Sequence, residues 1–235
     1  MDATAALAAY TKNHRPQIGK VVDYNPVHDR LYPLDLTSAN TELTGDLVAD
    51  TAAFSNWITQ KLADNQCRYG IGGYMEHRTI YTRSTLFDTK DEPRRLHLGV
   101  DIWGNAGIPI YAFLAGKVHS FADNNHHGDY GPTIILQHNL DGLILFSLYG
   151  HLSRANLAGL KVGQHINLNQ QIATLGTAQE NGNWPPHLHF QLMFDIGDNY
   201  GDYPGVGKYS EKEKYLQNIP NPELILQFSQ SVTSF

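Results

Sequence analysis

From Tyr69 onward the chain breaks into short runs in which apolar and polar residues alternate, separated by Gly, Asn and Asp: GIPIYAF, GKVHSFA, TIILQHN, LILFSLYGHL, QHINLN, QQIATLG and HLHFQLMF. A period of two over four to eight residues is the pattern of half-buried strands, and the punctuation supplies the turns. The first 66 residues have a different texture. Within TELTGDLVADTAAFSNWITQKLADN, Leu47, Phe54, Ile58 and Leu62 recur at helical spacing, which predicts one amphipathic helix with Thr44 as its N-cap. The preceding DYNPVHDRLYPLDLTSAN is rich in turn formers and is expected to wrap the surface. Toward the end, a loop rich in Gly, Tyr and Asp leads to NPELILQF, where Asn221 caps and Pro222 opens a short final helix. The expected architecture is mainly β, an antiparallel sheet or barrel-like core. Its divisions are an N-terminal helical and loop extension over 1–66, a β core over 67–200, and a C-terminal loop and helix over 201–235.

Two of the alternating runs carry polar side chains where a buried sheet has little use for them. In WPPHLHFQLMF the side chains of a strand face alternate ways, so His187, His189, Gln191 and Met193 share one face and Leu188, Phe190, Leu192 and Phe194 the other. Pro185 and Pro186 lack amide hydrogens, which suits entry at a sheet edge or beside a cleft. In RRLHLGVDIWG, His97 and Asp101 likewise point away from the apolar set of Leu96, Leu98, Val100 and Ile102. Four extended residues span about 13 Å, too far for both side chains to hold one ion, but Gly99 between them allows a bend or bulge. Two imidazoles and a carboxylate make a zinc site with an open fourth position, the arrangement of catalysis rather than of structure.

Composition narrows the alternatives. The 235 residues are 41% hydrophobic and 17% charged, with a formal net charge of −6, so there is no basic footprint for nucleic acid. A single cysteine, Cys67, builds neither an internal disulfide nor a thiolate metal site. No run approaches membrane-spanning length, and MDATAALAAYTKNHRP lacks the form of a secretory leader. The expected location is therefore cytoplasmic if Met1 is the natural start, or the cell envelope if a leader has been removed. The remaining histidines, at 14, 28, 77, 119, 126, 127, 138 and 165, lack a partner motif and are read as surface or structural.

HLGVD at 97–101, YGHL at 149–152 and HLH at 187–189, in this order within a β-rich stretch, resemble the lysostaphin-type zinc metallopeptidases, many of which cleave peptide bridges of peptidoglycan. GIPIYAFLAGKV and GLKVGQHINLNQQIATLG are similar to that family's core. The resemblance implies His97, Asp101 and His189 as zinc ligands, His151 and His187 as the two catalytic imidazoles, and a peptide or muropeptide as substrate. Tyr149 is read as a packing residue, with a catalytic role as the less common alternative. The stretch YGIGGYMEHRTIYTRSTLFD with EPRRLHLGVDIWG resembles a subgroup in which such a domain also occurs fused to kinase-like and aminotransferase-like domains. Arg78, Arg83, Arg94 and Arg95 are then either a clamp for a substrate carboxylate or, as is commoner, solvated surface residues. Some relatives fill the open zinc position with a preceding segment, for which NPVHD offers Asn25 and His28. Two other classes fit parts of the pattern: a non-catalytic binding module on the same fold, and a small β carrier with one modifiable residue.

Overall fold

Seventeen helices and strands follow one another in the computed structural model, which describes residues 2–228. They are α1 (Ala3–Asn13), β1 (Leu31–Leu34), α2 (Gly45–Ala49), α3 (Thr51–Asp64), β2 (Tyr69–Gly72), β3 (Leu96–His97), β4 (Val100–Trp103), β5 (Pro109–Tyr111) and β6 (Gly116–Asn124). There follow β7 (Gly131–Leu140), β8 (Leu143–Gly150), β9 (His165–Ile166), β10 (Gln171–Thr174), β11 (His187–Met193), β12 (Val206–Gly207), α4 (Lys212–Asn218) and α5 (Glu223–Leu226). Eight strands form one sheet in the order β1-β2-β4-β11-β8-β7-β6-β9. Two small pairs, β10 with β5 and β12 with β3, flank it. The sheet is antiparallel except at β1–β2, and it is open: β1 and β9 are its edges, so the barrel-like expectation gives way to an eight-stranded layer.

The strand alternation sorts the two faces. Val100 and Ile102 of β4, Leu188, Phe190 and Leu192 of β11, Leu145 and Tyr149 of β8 and Ile134 and Leu136 of β7 are buried on one face, under Leu7 of α1, Ile225 of α5 and Phe113. Each such side chain contributes roughly 1.5–3 kcal/mol by leaving water. Tyr149, directly opposite Phe190 in the β11–β8 ladder, belongs to this face and packs. The other face carries Asp101, Trp103, His187, His189 and Gln191.

Three local expectations change. The helix over 44–64 is two helices: Thr44 caps α2, and Asp50, in extended backbone, breaks the run and accepts from Ala52 and Ala53 N–H to start α3. The turn-rich segment before it contributes β1, with Leu31, Leu34 and Leu36 buried; Pro33 is tolerated there because β1 is an edge. The HLH strand, by contrast, lies at no edge. It sits between β4 and β8, and its His187 and His189 open on a cleft. Asn221 does accept from Glu223 N–H at the start of α5.

Candidate metal centre

The HLGVD stretch is where the chain changes sheets. β3 pairs with β12, and β4 pairs with β2 and β11, so the ladder is interrupted at Leu98 and Gly99. That break is the bend expected at Gly99, and it brings His97 Nε2 to 3.2 Å from Asp101 Oδ1. Across the β4–β11 ladder His189 is in register with Asp101, which places its Nδ1 3.1 Å from the same oxygen and 3.0 Å from His97 Nε2. The backbone at Gly99 lies so close to His189 that a Cβ there would meet its Nε2 at 2.7 Å and the Phe190 carbonyl at 2.7 Å.

Hydrogen bonds on the far sides of the rings fix their tautomers. His97 Nδ1 faces the Gly73 carbonyl at 2.8 Å and must donate to it. Gln191 donates through Nε2 to the Pro204 carbonyl, leaving its Oε1 to accept from His189 Nε2 at 3.0 Å. Burial, with Arg78 adding to it, lowers the His97 pKa to about 3, so this ring is neutral at pH 7. Two nitrogen lone pairs and a carboxylate oxygen therefore converge within 3.2 Å with no proton between them. Only a cation satisfies such a set, and donors at about 2.0–2.1 Å in a tetrahedron stand about 3.3–3.4 Å apart, close to what is seen. His97, Asp101 and His189 fit zinc.

Asp101 is ionised for this task. Burial opposes its charge, but the Arg78 guanidinium, charged where the His97 ring is neutral and held against Oδ2, outweighs that and holds its carboxyl well below the usual carboxylate range. Arg78 is not a surface residue: it is fully buried, with Nη1 2.5 Å from Asp101 Oδ2 and Nε 2.6 Å from Glu76 Oε2. It thus occupies the oxygen of Asp101 that faces away from the donor cluster. Of the other arginines, Arg83 lies over the Trp184 ring at 4.6 Å and donates to the Asn183 carbonyl, Arg95 pairs with Asp88, and Arg94 donates to the Leu86 carbonyl. Asn25 and His28 sit in an exposed turn and do not line the site.

Two further imidazoles face the cluster. His187 donates from Nδ1 to the Pro185 carbonyl at 2.8 Å and stacks on Trp103, ring centres 3.9 Å apart at 20°. Its Nε2 lone pair is 3.9 Å from Asp101 Oδ1, outside the donor triad. His151 follows β8 directly, in left-handed backbone at φ 62°, and donates from Nδ1 to the Asn181 carbonyl at 2.9 Å. A non-glycine residue held there is strained, as happens where a site dictates the backbone. The two rings are 4.1 Å apart. Burial lowers His187 to about 4, and burial with His187 alongside puts His151 well below its ordinary value. His151, His187, His189 and Trp103 line a cavity of about 300 Å³ whose remaining wall includes Tyr81, Phe87 and Trp184. His138 is the other buried imidazole, tied to the Ala115 carbonyl and Ser147 within the sheet, and it does not line that cavity.

The sequence profile of peptidase family M23 matches residues 95–200, the span from β3 to just beyond β11. Residues 95–200 belong to peptidase family M23. Lysostaphin from Staphylococcus staphylolyticus is 36% identical over 104 residues, 44% of this chain and 20% of its own length. The L-Ala–D-Glu endopeptidase of Bacillus subtilis strain 168 is 27% identical over 146 residues, 58% of this chain and 43% of its own. The chain thus spans between a fifth and a half of these M23 relatives. The solved catalytic domain of lysostaphin from Staphylococcus simulans aligns at TM-score 0.40 and 25% identity, over 68% of this chain and 97% of that one. Among the described residues no helix is long and apolar enough to cross a membrane.

The residues whose roles sequence reasoning missed are those that act through others. Gln191 and Gly73 set the ring tautomers, Trp103 stacks under His187, and Arg78 with Glu76 backs Asp101. Gln191 was visible as the next residue on the HLH face. The rest come from separate segments that only the fold brings together.

Proposed function

We propose that this chain is a zinc-dependent metallopeptidase that hydrolyses an amide bond in a peptide or peptidoglycan-derived peptide. Its ligands are His97, Asp101 and His189, and His151 and His187 handle the protons. The observation that carries the reading is the convergence of three proton-free donor atoms beside two imidazoles whose Nε2 lone pairs are left over. The relatives' names, an endopeptidase among them, support the substrate class.

Bound zinc supplies Lewis acidity toward a carbonyl and toward water. The chain supplies the rest. His187 and His151 are neutral at pH 7, each with Nδ1 committed to a backbone carbonyl, so each presents Nε2 as a proton acceptor. One takes the proton of the attacking water as the new C–O bond forms, and a proton is returned to the amine nitrogen as the C–N bond breaks. The 4.1 Å separation of the rings means that a proton on one discourages a proton on the other, so a single proton is in play at a time. The Trp103 face under His187 stabilises the imidazolium at that moment. The aromatic wall of Tyr81, Phe87 and Trp184 excludes water from around the scissile bond.

The test is zinc content by elemental analysis together with hydrolysis of muropeptides and short peptides on the same preparations. About one zinc per chain is expected, and His97→Ala, Asp101→Ala or His189→Ala should each remove most of it with the activity. Undiminished zinc in those variants would overturn the ligand assignment.

A further inference from the structure

The cavity over the metal centre has an acidic wall that the reaction as derived does not use. Asp129, one residue before Tyr130, and Asp202, in the loop after β11, both line it. Each carboxylate spends one oxygen on a neighbouring backbone N–H: Asp129 Oδ1 accepts from Tyr130 at 2.8 Å and Asp202 Oδ1 from Tyr203 at 2.7 Å. Neither has an ion-pair partner among the described residues; Arg94, which lines the same cavity, donates instead to the Leu86 carbonyl. Burial, and Asp202 beside it, raise the Asp129 carboxyl above its ordinary value. Arg94 and His126 nearby act the other way, but neither closes an ion pair on these carboxylates, and two carboxylates on one half-enclosed space without a direct ion pair are costly; a cation brought by a ligand removes that cost.

An independent observation points to the same place. Tyr130 is only 8% exposed, and its hydroxyl has no hydrogen-bond partner among the described residues. The phenol reaches across to Gly205, another residue of the cavity wall, where a Cβ would collide with the hydroxyl. A buried hydroxyl left unpaired forfeits about 1–3 kcal/mol, which a donor that reaches it from the cavity recovers. The Tyr130 ring also lies 5.1 Å from that of His189 and 5.5 Å from that of His151, which ties the acidic wall to the reacting centre.

We propose that Asp129, Asp202 and the Tyr130 hydroxyl form a subsite for an ammonium group of the substrate, borne beside the amide bond that is cut. The subsite rests on the reading of this cavity as a peptide-binding site. Its chemistry is that of a primary ammonium, whether on a lysine-type side chain or at a free amino terminus. A neutral or acidic residue at the same position leaves the carboxylates unpaired, so the wall selects for the amine as well as holding it.

The test uses the zinc-loaded full chain and three forms of one short peptide that contains a single lysine and a free amino terminus: unmodified, Nε-acetylated and Nα-acetylated. Binding is read by the fluorescence of Trp103 and Trp184, which both line the cavity, and turnover by kcat/KM on the same samples. One of the two acetylations should weaken binding about tenfold or more, as expected for a partly desolvated charge pair, and which one does so identifies the amine. In Asp129→Asn with Asp202→Asn, where the amide oxygens keep the backbone hydrogen bonds, that difference should vanish. Tyr130→Phe, which removes only the hydroxyl, should narrow it. Equal binding of all three peptides, binding of none, or a difference that persists in the double variant would overturn the subsite. Preference in binding without any hydrolysis would instead overturn the peptidase reading and leave the subsite standing, and hydrolysis without preference would do the reverse.

Discussion

Replacing Gly99 with alanine adds one methyl group at the most crowded point of the metal centre. Gly99 shows no positive φ, so alanine is permitted by the backbone, and the general expectation for such a change is stabilisation by about 0.4–1 kcal/mol. The contacts reverse the sign. The new Cβ would lie 2.7 Å from His189 Nε2, 2.8 Å from its Cε1 and 2.7 Å from the Phe190 carbonyl, against about 3.4 Å or more for an ordinary contact. Relief requires a shift of about 0.7 Å, and the carbonyl is held in a central strand between two neighbours. The His189 ring is therefore the part that moves, breaking its 3.0 Å hydrogen bond to Gln191 and swinging Nδ1 out of the donor set. Overpacking of this kind costs about 1–3 kcal/mol, and disturbing the group that orients a ligand typically weakens metal binding about 10- to 100-fold. The assay is chelator competition for the zinc dissociation constant, paired with urea unfolding of the metal-free protein. Gly45→Ala serves as control, because a Cβ there meets nothing within 4 Å. A zinc affinity for Gly99→Ala within threefold of the parent, with unchanged stability, would refute the close approach on which the geometry depends.

Two further outcomes follow from the same geometry. His151→Ala and His187→Ala should keep near-normal zinc while turnover falls about a hundredfold or more, the ordinary contribution of a positioned acid or base; loss of zinc in either would mean that its ring is a ligand. For the metal-free protein, His138 is held to about 4 in the fold by burial against about 6.5 unfolded, so the unfolded chain binds the extra proton between those values. Stability is then full above about pH 6.5 and should fall by about 3 kcal/mol from this ring alone as pH drops toward 4, in urea titrations across that window; a flat profile would contradict the neutral buried state.

Much of the sheet, and the shared face of His187 and His189, could be read from the chain because the information is local, whereas His151 entered only through the family resemblance. Alternation placed Leu188 and Phe190 in the core and turned His187 and His189 together to the other face, and the fold keeps that division. Gly99 between His97 and Asp101 signalled the bend that joins them. The errors arose where local and global preferences compete. Asp50 lies inside an unbroken helical period, and its stronger preference for capping splits α2 from α3. Pro185 and Pro186 suggest an edge, but they precede rather than interrupt the ladder, so β11 is free to be central. LYPL reads as a turn because of Pro33, yet an edge position lets it pair with β2.

Arg78 was unreadable for a different reason. A lone arginine belongs on the surface by default, since burying its charge costs several kcal/mol unless partners repay it. Its partners are Glu76, two residues away, and Asp101, which reaches it only because β2 and β4 pair and Gly72 stands in register with Asp101. At Gly72 a Cβ would press on Arg78 Nη2 at 2.5 Å, so the glycine makes the space that the guanidinium fills. The consequence reaches the metal centre. With Oδ2 held by Arg78, Asp101 offers only Oδ1 to His97 and His189, and its orientation is fixed before any ion arrives. One buried cation therefore makes a donor set of one oxygen and two nitrogens out of side chains that the sequence shows only as HxxxD and HxH.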